Sequence, residues 1–524
     1  MRSSPGSFLR SCFFVLAASG LGTGACNAIT GVEDLVVEGS GASDGGGGEG
    51  AGPSTGATGG STSTGTPPVE TFTDASGVAI TQIALYQGVK ATLMENGQPA
   101  QSSVPIVAGR DALMRVWLAL DGNYNGGPVI ARLHINGIPE PIEVTGSAPG
   151  SPSDGVLGST LNFQIPGASI APGFAYRVEI LQTQIESKGP NPAAHYPAEA
   201  FASTNTVNVG QTLKIVLVPF KYGADGSNRL PDISEAMIQG YKDWFYAMYP
   251  VPELDLTVRE PVQYNQDVSP NGYGWQELLG YTSQIRQQDG AAFDVYYYGI
   301  FSPAASLGQF CGGGCVAGLG NLGGVGDAYI RAAIGLGFGD DGGATAWETA
   351  VHEIGHTHGR QHSPCGGAQG TDPDYPYSNA ATGVWGYNLL TQKLYEPTHK
   401  DVMGYCFPIW VSDFTYNGFL NRIKGVNSAS IVVPPEMKNL TYDRAWVGED
   451  GDLHWLPSLK METPPMGEPV DLDVEAGGDA HLVTGHFYPY DHLPGGVFLW
   501  PQAGAPSSAV TVEWKGSIRT LLAE

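Results

Sequence analysis

The chain has 524 residues, 42% of them hydrophobic, with 51 Asp and Glu against 25 Lys and Arg. A formal charge of −26 excludes nucleic acid as a partner, because phosphate binding needs a basic face. The length exceeds what one core fills, so roughly two to four domains are expected.

Residues 1–25 read as an export signal. Arg2 and Arg10 precede an apolar run, Ser11–Leu21, that is too short to span a bilayer. Gly24 and Ala25 then place small residues before Cys26. This resembles a bacterial lipoprotein cleavage site with Cys26 as the lipidated first residue; plain secretion is the alternative. Membrane contact is expected only through that anchor, since no later stretch is long and apolar enough for a spanning helix. Residues 26–70 read as a disordered linker. The run Gly39–Pro68 is nearly all Gly, Ser, Thr, Ala and Pro, and such a composition cannot bury enough apolar surface to fold.

Residues 71–208 carry a β pattern. Ile80–Tyr86, Met114–Leu120, Val129–Ile135 and Ala175–Leu181 alternate or run apolar between Pro/Gly turns. A β-sandwich without catalytic residues is expected, with His134 and His195 in structural roles. Residues 209–428 mix the two periods. Leu213–Phe220, Leu254–Val262 and Phe293–Phe301 read as strands. Asp232–Tyr249, capped by Asp232, and Trp275–Gln288 read as helices. That order predicts a mixed α/β sheet.

The stretch Ala344–His362 carries the chemistry. His352, Glu353, His356, Gly359 and His362 fit H-E-x-x-H-x-x-G-x-x-H. On a helix, positions i and i+4 share a face, so His352 and His356 can aim two imidazoles at one metal ion. Glu353 sits where it can reach a metal-bound water without being a ligand. Gly359 lets the helix stop, and the returning chain brings a third nitrogen from His362. Three neutral imidazoles and one open position describe a catalytic Zn2+ site. Glu348, one turn earlier, reads as an exposed helix acid, with orienting a ligand as the alternative. His358 is expected to face away.

Downstream, Asp401-Val402-Met403-Gly404-Tyr405 supplies a methionine on a tight turn. With the eleven-residue motif it resembles the metzincins, zinc endopeptidases with a Met-turn behind the metal. The resemblance covers about 210–425. It implies an apolar floor from Met403 and, as in astacin-like and serralysin-like members, a Tyr405 hydroxyl within reach of the zinc or the tetrahedral intermediate. Asp401 stands where those subfamilies usually have Ser. In the family, the strand before the zinc helix, here Tyr329–Phe338, is the sheet edge that pairs with extended substrate; an ordinary strand is the other reading. The implied fold is an α+β multidomain chain. A metzincin-like catalytic domain of mixed sheet plus active-site helix is flanked by the N-terminal β-sandwich and a small C-terminal β-domain at 429–524.

The remaining features are local. Ser363–Lys400 is loop-rich, and Ca2+ at Asp372–Asp374 or Asp340–Asp341 is weighed against the commoner state of solvated acids. Ser412 and Asp413 open a helix. His454, His481, His486 and His492, scattered in the last segment, are expected at the surface. Of six cysteines, Cys311, Cys315, Cys365 and Cys406 follow the signal, and an even number in an exported chain suggests two disulfides. Cys311–Cys315 and Cys365–Cys406 are favoured among three pairings, with metal binding as the competing reading. The sequence therefore predicts a secreted or lipid-anchored, monomeric zinc endopeptidase acting on extracellular polypeptides or glycoproteins. The alternative is a catalytically silent cell-surface binding protein that retains a zinc site.

Overall fold

The computed structural model describes residues 71–184, 188–210, 212–429 and 437–523. The export signal, the linker and Cys26 lie outside these. Phe72–Glu524 form one compact unit.

Alternation decides most of the described chain. In the strand Pro128–Ile135, Val129, Ala131, Leu133 and Ile135 are buried while their neighbours are not, the period-2 signature of a half-buried strand. It pairs antiparallel with Ala175–Thr183 and Ile142–Ser147. A second sheet runs through Gly88–Glu95, Val78–Tyr86, Ala112–Leu120 and Leu161–Ile165. Ile83, Leu85, Met114 and Val116 from it share one core with Leu133, Val178 and Ile180. Two links tie this region to the segment carrying the motif. The strand Gly386–Asn388 pairs with Gly88–Glu95, and Trp410 Nε1 donates to Gly88 O at 2.8 Å.

The central sheet has the order Leu254–Val258, Leu213–Tyr222, Val295–Phe301, Ala332–Leu336, Gly318–Gly320. The first four strands are parallel and Gly318–Gly320 is antiparallel. Both faces are covered, which suits near-continuous apolar strands. Leu213, Ile215, Leu217, Tyr296, Tyr298 and Ile300 pack with helices α1 (Glu235–Met248) and α4 (Ala344–Thr357). Val218, Phe220, Tyr297 and Phe301 face α2 (Trp275–Gln288). Two short-range expectations change. Helix α1 begins at Glu235 with Ser234 as its cap, its Oγ accepting from Met237 N; Asp232 instead accepts from Ser234 N at 2.9 Å. The strand before α4 is Ala332–Leu336, paired on both sides and so interior. The sheet edge is Gly318–Gly320.

The remaining helices are α3 (Leu307–Cys311) and α5 (Asp413–Ser428), the latter capped by Ser412 Oγ, which accepts from Thr415 N at 3.1 Å. From Leu440 onward a seven-stranded antiparallel sheet forms. Its Leu456, Leu459, Met461 and Tyr488 share a core with Trp275, Leu278 and Leu279 of α2.

The α+β, metzincin-like fold class is overturned. The protein is a β-rich multidomain chain with curled sheets, 39% strand and 18% helix, and only five α-helices among the described residues. The cause is reach. The metal motif governs one helix and the loops it meets, whereas β-branched alternation governs nearly everything else and sets the class.

Candidate metal centre

Helix α4 is fixed at both ends. Asp341 Oδ1 accepts from Gly343 N at 2.8 Å and its Oδ2 from Thr345 N at 3.0 Å, which satisfies amides at the N-terminus. Ala346, Ala350, Val351 and Ile354 are buried along the core side. The helix ends where Gly359 takes φ +76° and donates to His356 O at 2.7 Å. The positive φ favours glycine there, and a Cβ would also displace the Arg422 guanidinium. The chain then reverses and returns His362.

Three imidazoles converge, each held by a backbone carbonyl. His352 Nδ1 donates to Val402 O at 2.7 Å, His356 Nδ1 to Arg360 O at 2.6 Å, and His362 Nδ1 to Gln369 O at 2.5 Å. A carbonyl only accepts, so each Nδ1 carries the ring proton and each Nε2 presents a bare lone pair. The Nε2 atoms of His352 and His356 nonetheless stand 2.9 Å apart. Two lone pairs at that distance repel unless a cation lies between them. Burial holds His352 neutral well below its usual range and takes His362 down to about 3, with neighbouring His356 adding to both.

Asp401 organises the methionine turn. Its Oδ1 accepts from Met403 N at 2.9 Å and Thr415 Oγ1 at 3.0 Å, and its Oδ2 from Ser412 N at 2.9 Å. The turn thus presents Val402 O to His352 and packs Met403 beneath α4, where a Cβ on Gly355 would lie 2.6 Å from Met403 Sδ. Tyr405 Oη is 3.1 Å from His362 Nε2. Glu353 is 1% exposed. Burial, with Asp491 beside it, raises its carboxyl well above the usual range. Its Oε2 has no hydrogen-bond partner.

Two residues outside the motif complete the group. His492 is not at the surface: its Nε2 lies 2.8 Å from Glu353 Oε1, and its Nδ1 contacts Tyr405 Oη. Asp491 Oδ2 lies 3.0 Å from His356 Nε2 and 3.1 Å from His492 Nε2. His352, His356, His362, Asp491 and His492 each offer one ligand atom, all within 4.8 Å of one another. This His/Asp group could hold a metal ion, and the bare nitrogens and the unpartnered oxygens of Glu353 and Asp491 fit one. Only the pairing of two metal-competent residues in a Pro-Gly turn hinted at it in the sequence.

Other candidates lie apart. His358 faces the core, stacked on Tyr296 at 4.5 Å. His454 stacks on Trp446 and His486 bonds Gly467 O. Three of the acids weighed for calcium meet protein donors: Asp372 pairs with Arg360 at 3.0 Å, Asp340 accepts from Leu307 N, and Asp341 accepts from Gly343 N and Thr345 N. Glu348 is half-buried in the wall of a cleft of about 680 Å³ that also reaches His352, Glu353, Tyr405 and His492. Cys311 is bonded to Cys315 and Cys365 to Cys406, which suits an extracellular or otherwise oxidising compartment.

No family is shown. No protein-family model matches the chain, and no curated protein matches it. Among solved structures it is similar to a chain described as "Structure of a chaperone-substrate complex", at 13% identity and a TM-score of 0.23. That match covers 52% of this chain and 40% of the other, and so weak a likeness carries no argument.

Proposed function

We propose that the protein is a zinc-dependent endopeptidase, secreted or held by a lipid on Cys26, that cleaves extracellular proteins or glycoproteins. The observation that carries the reading is the convergence of three deprotonated Nε2 atoms beside the buried Glu353 carboxyl. Three neutral imidazoles suit zinc. The motif and methionine turn, which resemble those of metzincins, favour peptide bonds.

When bound, zinc polarises a carbonyl and acidifies water. The chain does the rest. Backbone carbonyls fix the three rings in the tautomer a ligand needs. Glu353, with its carboxyl raised by burial, takes the proton from the attacking water and passes it to the leaving amine. Tyr405 Oη, beside His362, donates to the developing oxyanion. Met403 supplies an apolar floor and no chemistry.

A second reading draws on Asp491 and His492, which raise the donor count to five: a surface binding protein whose metal only braces the fold. Chelator-sensitive cleavage of casein separates the two, measured on the full wild-type chain and on Asp491→Ala. Glu353→Gln in the active background is expected to retain its metal and lose about 10²–10⁴-fold in rate. Absence of chelator-sensitive cleavage from both chains sinks the peptidase reading.

A further inference from the structure

Resting on that reading, we propose that the turn Tyr490–Gly495 of the C-terminal sheet plugs the metal centre. Asp491 supplies a fourth ligand and the turn covers the Gly320–Asn321 end of the sheet edge, leaving open only the cleft along Cys315–Gly318, so turnover requires the turn to withdraw.

The ligand assignment follows from proton counting. Asp491 has a fully buried side chain, and its Oδ2 stands 3.0 Å from His356 Nε2. No proton joins them, because His356 gives its ring proton to Arg360 O. The other nitrogen near Oδ2, His492 Nε2 at 3.1 Å, faces Glu353 Oε1 more closely, at 2.8 Å. A carboxylate oxygen and a bare imidazole nitrogen at this separation repel each other. Two ligands that each sit about 2.0–2.2 Å from one zinc stand about 3.3–3.6 Å apart at the tetrahedral angle and about 3 Å apart when that angle narrows toward 90°. His492 plays a different part: Glu353 and Tyr405 occupy its two nitrogens, so it holds the base and the hydroxyl donor together.

That end of the edge is occupied by backbone. The edge strand Gly318–Gly320 runs beside Glu353 so closely that a Cβ on Gly318 would overlap the carboxylate. Immediately beyond it, Asn321 forms an antiparallel bridge with Tyr490, and Gly320 N donates to Asp491 Oδ1 at 3.1 Å. The turn therefore adds to the sheet edge beside the metal ligands, where addition of a peptide strand would take place. The strand leading into it is anchored by Tyr488 Oη, which donates to buried Asp327 at 2.5 Å, whereas Leu493, inside the turn, is only partly buried beside Val316. Opening thus belongs to the turn and not to the whole sheet.

The test uses the full chain loaded with Co2+, comparing wild type with Asp491→Ala and Asp491→Asn. The Asn variant keeps an acceptor for Gly320 N and guards against a folding defect. Both variants are expected to lose cobalt to dipicolinate about 10-fold faster or more. Both should bind acetohydroxamate at least about 10-fold tighter, read from the visible cobalt bands. Unchanged metal release and hydroxamate affinity in both variants overturns the plug. Variants that open to hydroxamate yet cleave no casein uphold the plug and remove the peptidase reading. A wild-type chain that binds hydroxamate as tightly as the variants overturns the plug even if it cleaves casein.

Discussion

Tyr405 reaches two partners with one hydroxyl, His362 on one side and His492 on the other. Replacing it with Phe removes a donor without touching the imidazoles' carbonyl bonds. Tyr405→Phe is expected to lower kcat about 10- to 100-fold with metal content unchanged; an unaltered kcat removes Tyr405 from catalysis. Glu348, in the cleft wall, has its pKa pushed from 4.5 up to about 7 by burial and, second, by Asp341. Below the unfolded value the carboxyl is neutral in both states and contributes no pH dependence. Between 4.5 and 7 the unfolded chain ionises first, so the native state loses stability as pH rises, and above 7 the full loss is present. Glu348→Gln is therefore expected to raise the Tm at pH 8 and to leave it nearly unchanged at pH 4. Solvent still reaches part of this side chain, which keeps the gain small. Equal shifts at the two pH values contradict the assignment.

At the scale of elements, Gly318–Gly320 shows how backbone shape serves the centre. It passes Glu353 because it lacks side chains at Gly318 and Gly320. Gly318→Ala is expected to push the carboxylate aside, cutting turnover at least about 10-fold with metal retained, while overpacking costs about 1–3 kcal/mol in denaturant unfolding. Wild-type turnover would show that Glu353 has another place to sit. This strand was not legible in the sequence. Its glycine-rich run has neither alternation nor β-branched residues, whereas the apolar run within Tyr329–Phe338 reads as a strand but leaves open whether it is the edge or an ordinary strand. Helix α4 was legible because ligand spacing, helix period and a stop glycine all agree there. The methionine turn was legible as a turn, but the role of Asp401 was not, since its three donors come from Met403, Ser412 and Thr415. Asp491 and His492 were unreadable for a similar reason: a hairpin turn can be found in sequence, but the direction it points is set by packing around it. The fold class was not legible from the motif, because a few fixed positions constrain one helix and its loops and not the strands they do not touch.

Across the whole molecule, the C-terminal sheet is joined to the centre by more than its turn. Leu456, Leu459, Met461, Tyr488 and Tyr490 are buried against the α2 side of the central sheet. Burial of each such side chain is worth about 1.5–3 kcal/mol, so losing all five approaches the roughly 5–15 kcal/mol by which a domain is stable. A fragment spanning 71–428 is accordingly expected to lack a cooperative thermal transition and to bind metal far more weakly than the full chain, by circular dichroism and metal titration. This separates two ways of exposing the metal. Removing the sheet destroys the support of α2 and of the strands beside it, whereas a cut confined to 490–495 leaves Leu456, Leu459, Met461 and Tyr488 in place. A chain nicked only within the turn is therefore expected to keep a Tm within a few degrees of the intact protein, because no buried core side chain is released except Tyr490. If the 71–428 fragment instead unfolds cooperatively near the full-chain Tm, the shared core is dispensable, and the sheet is a detachable cover rather than part of the framework that holds the imidazoles.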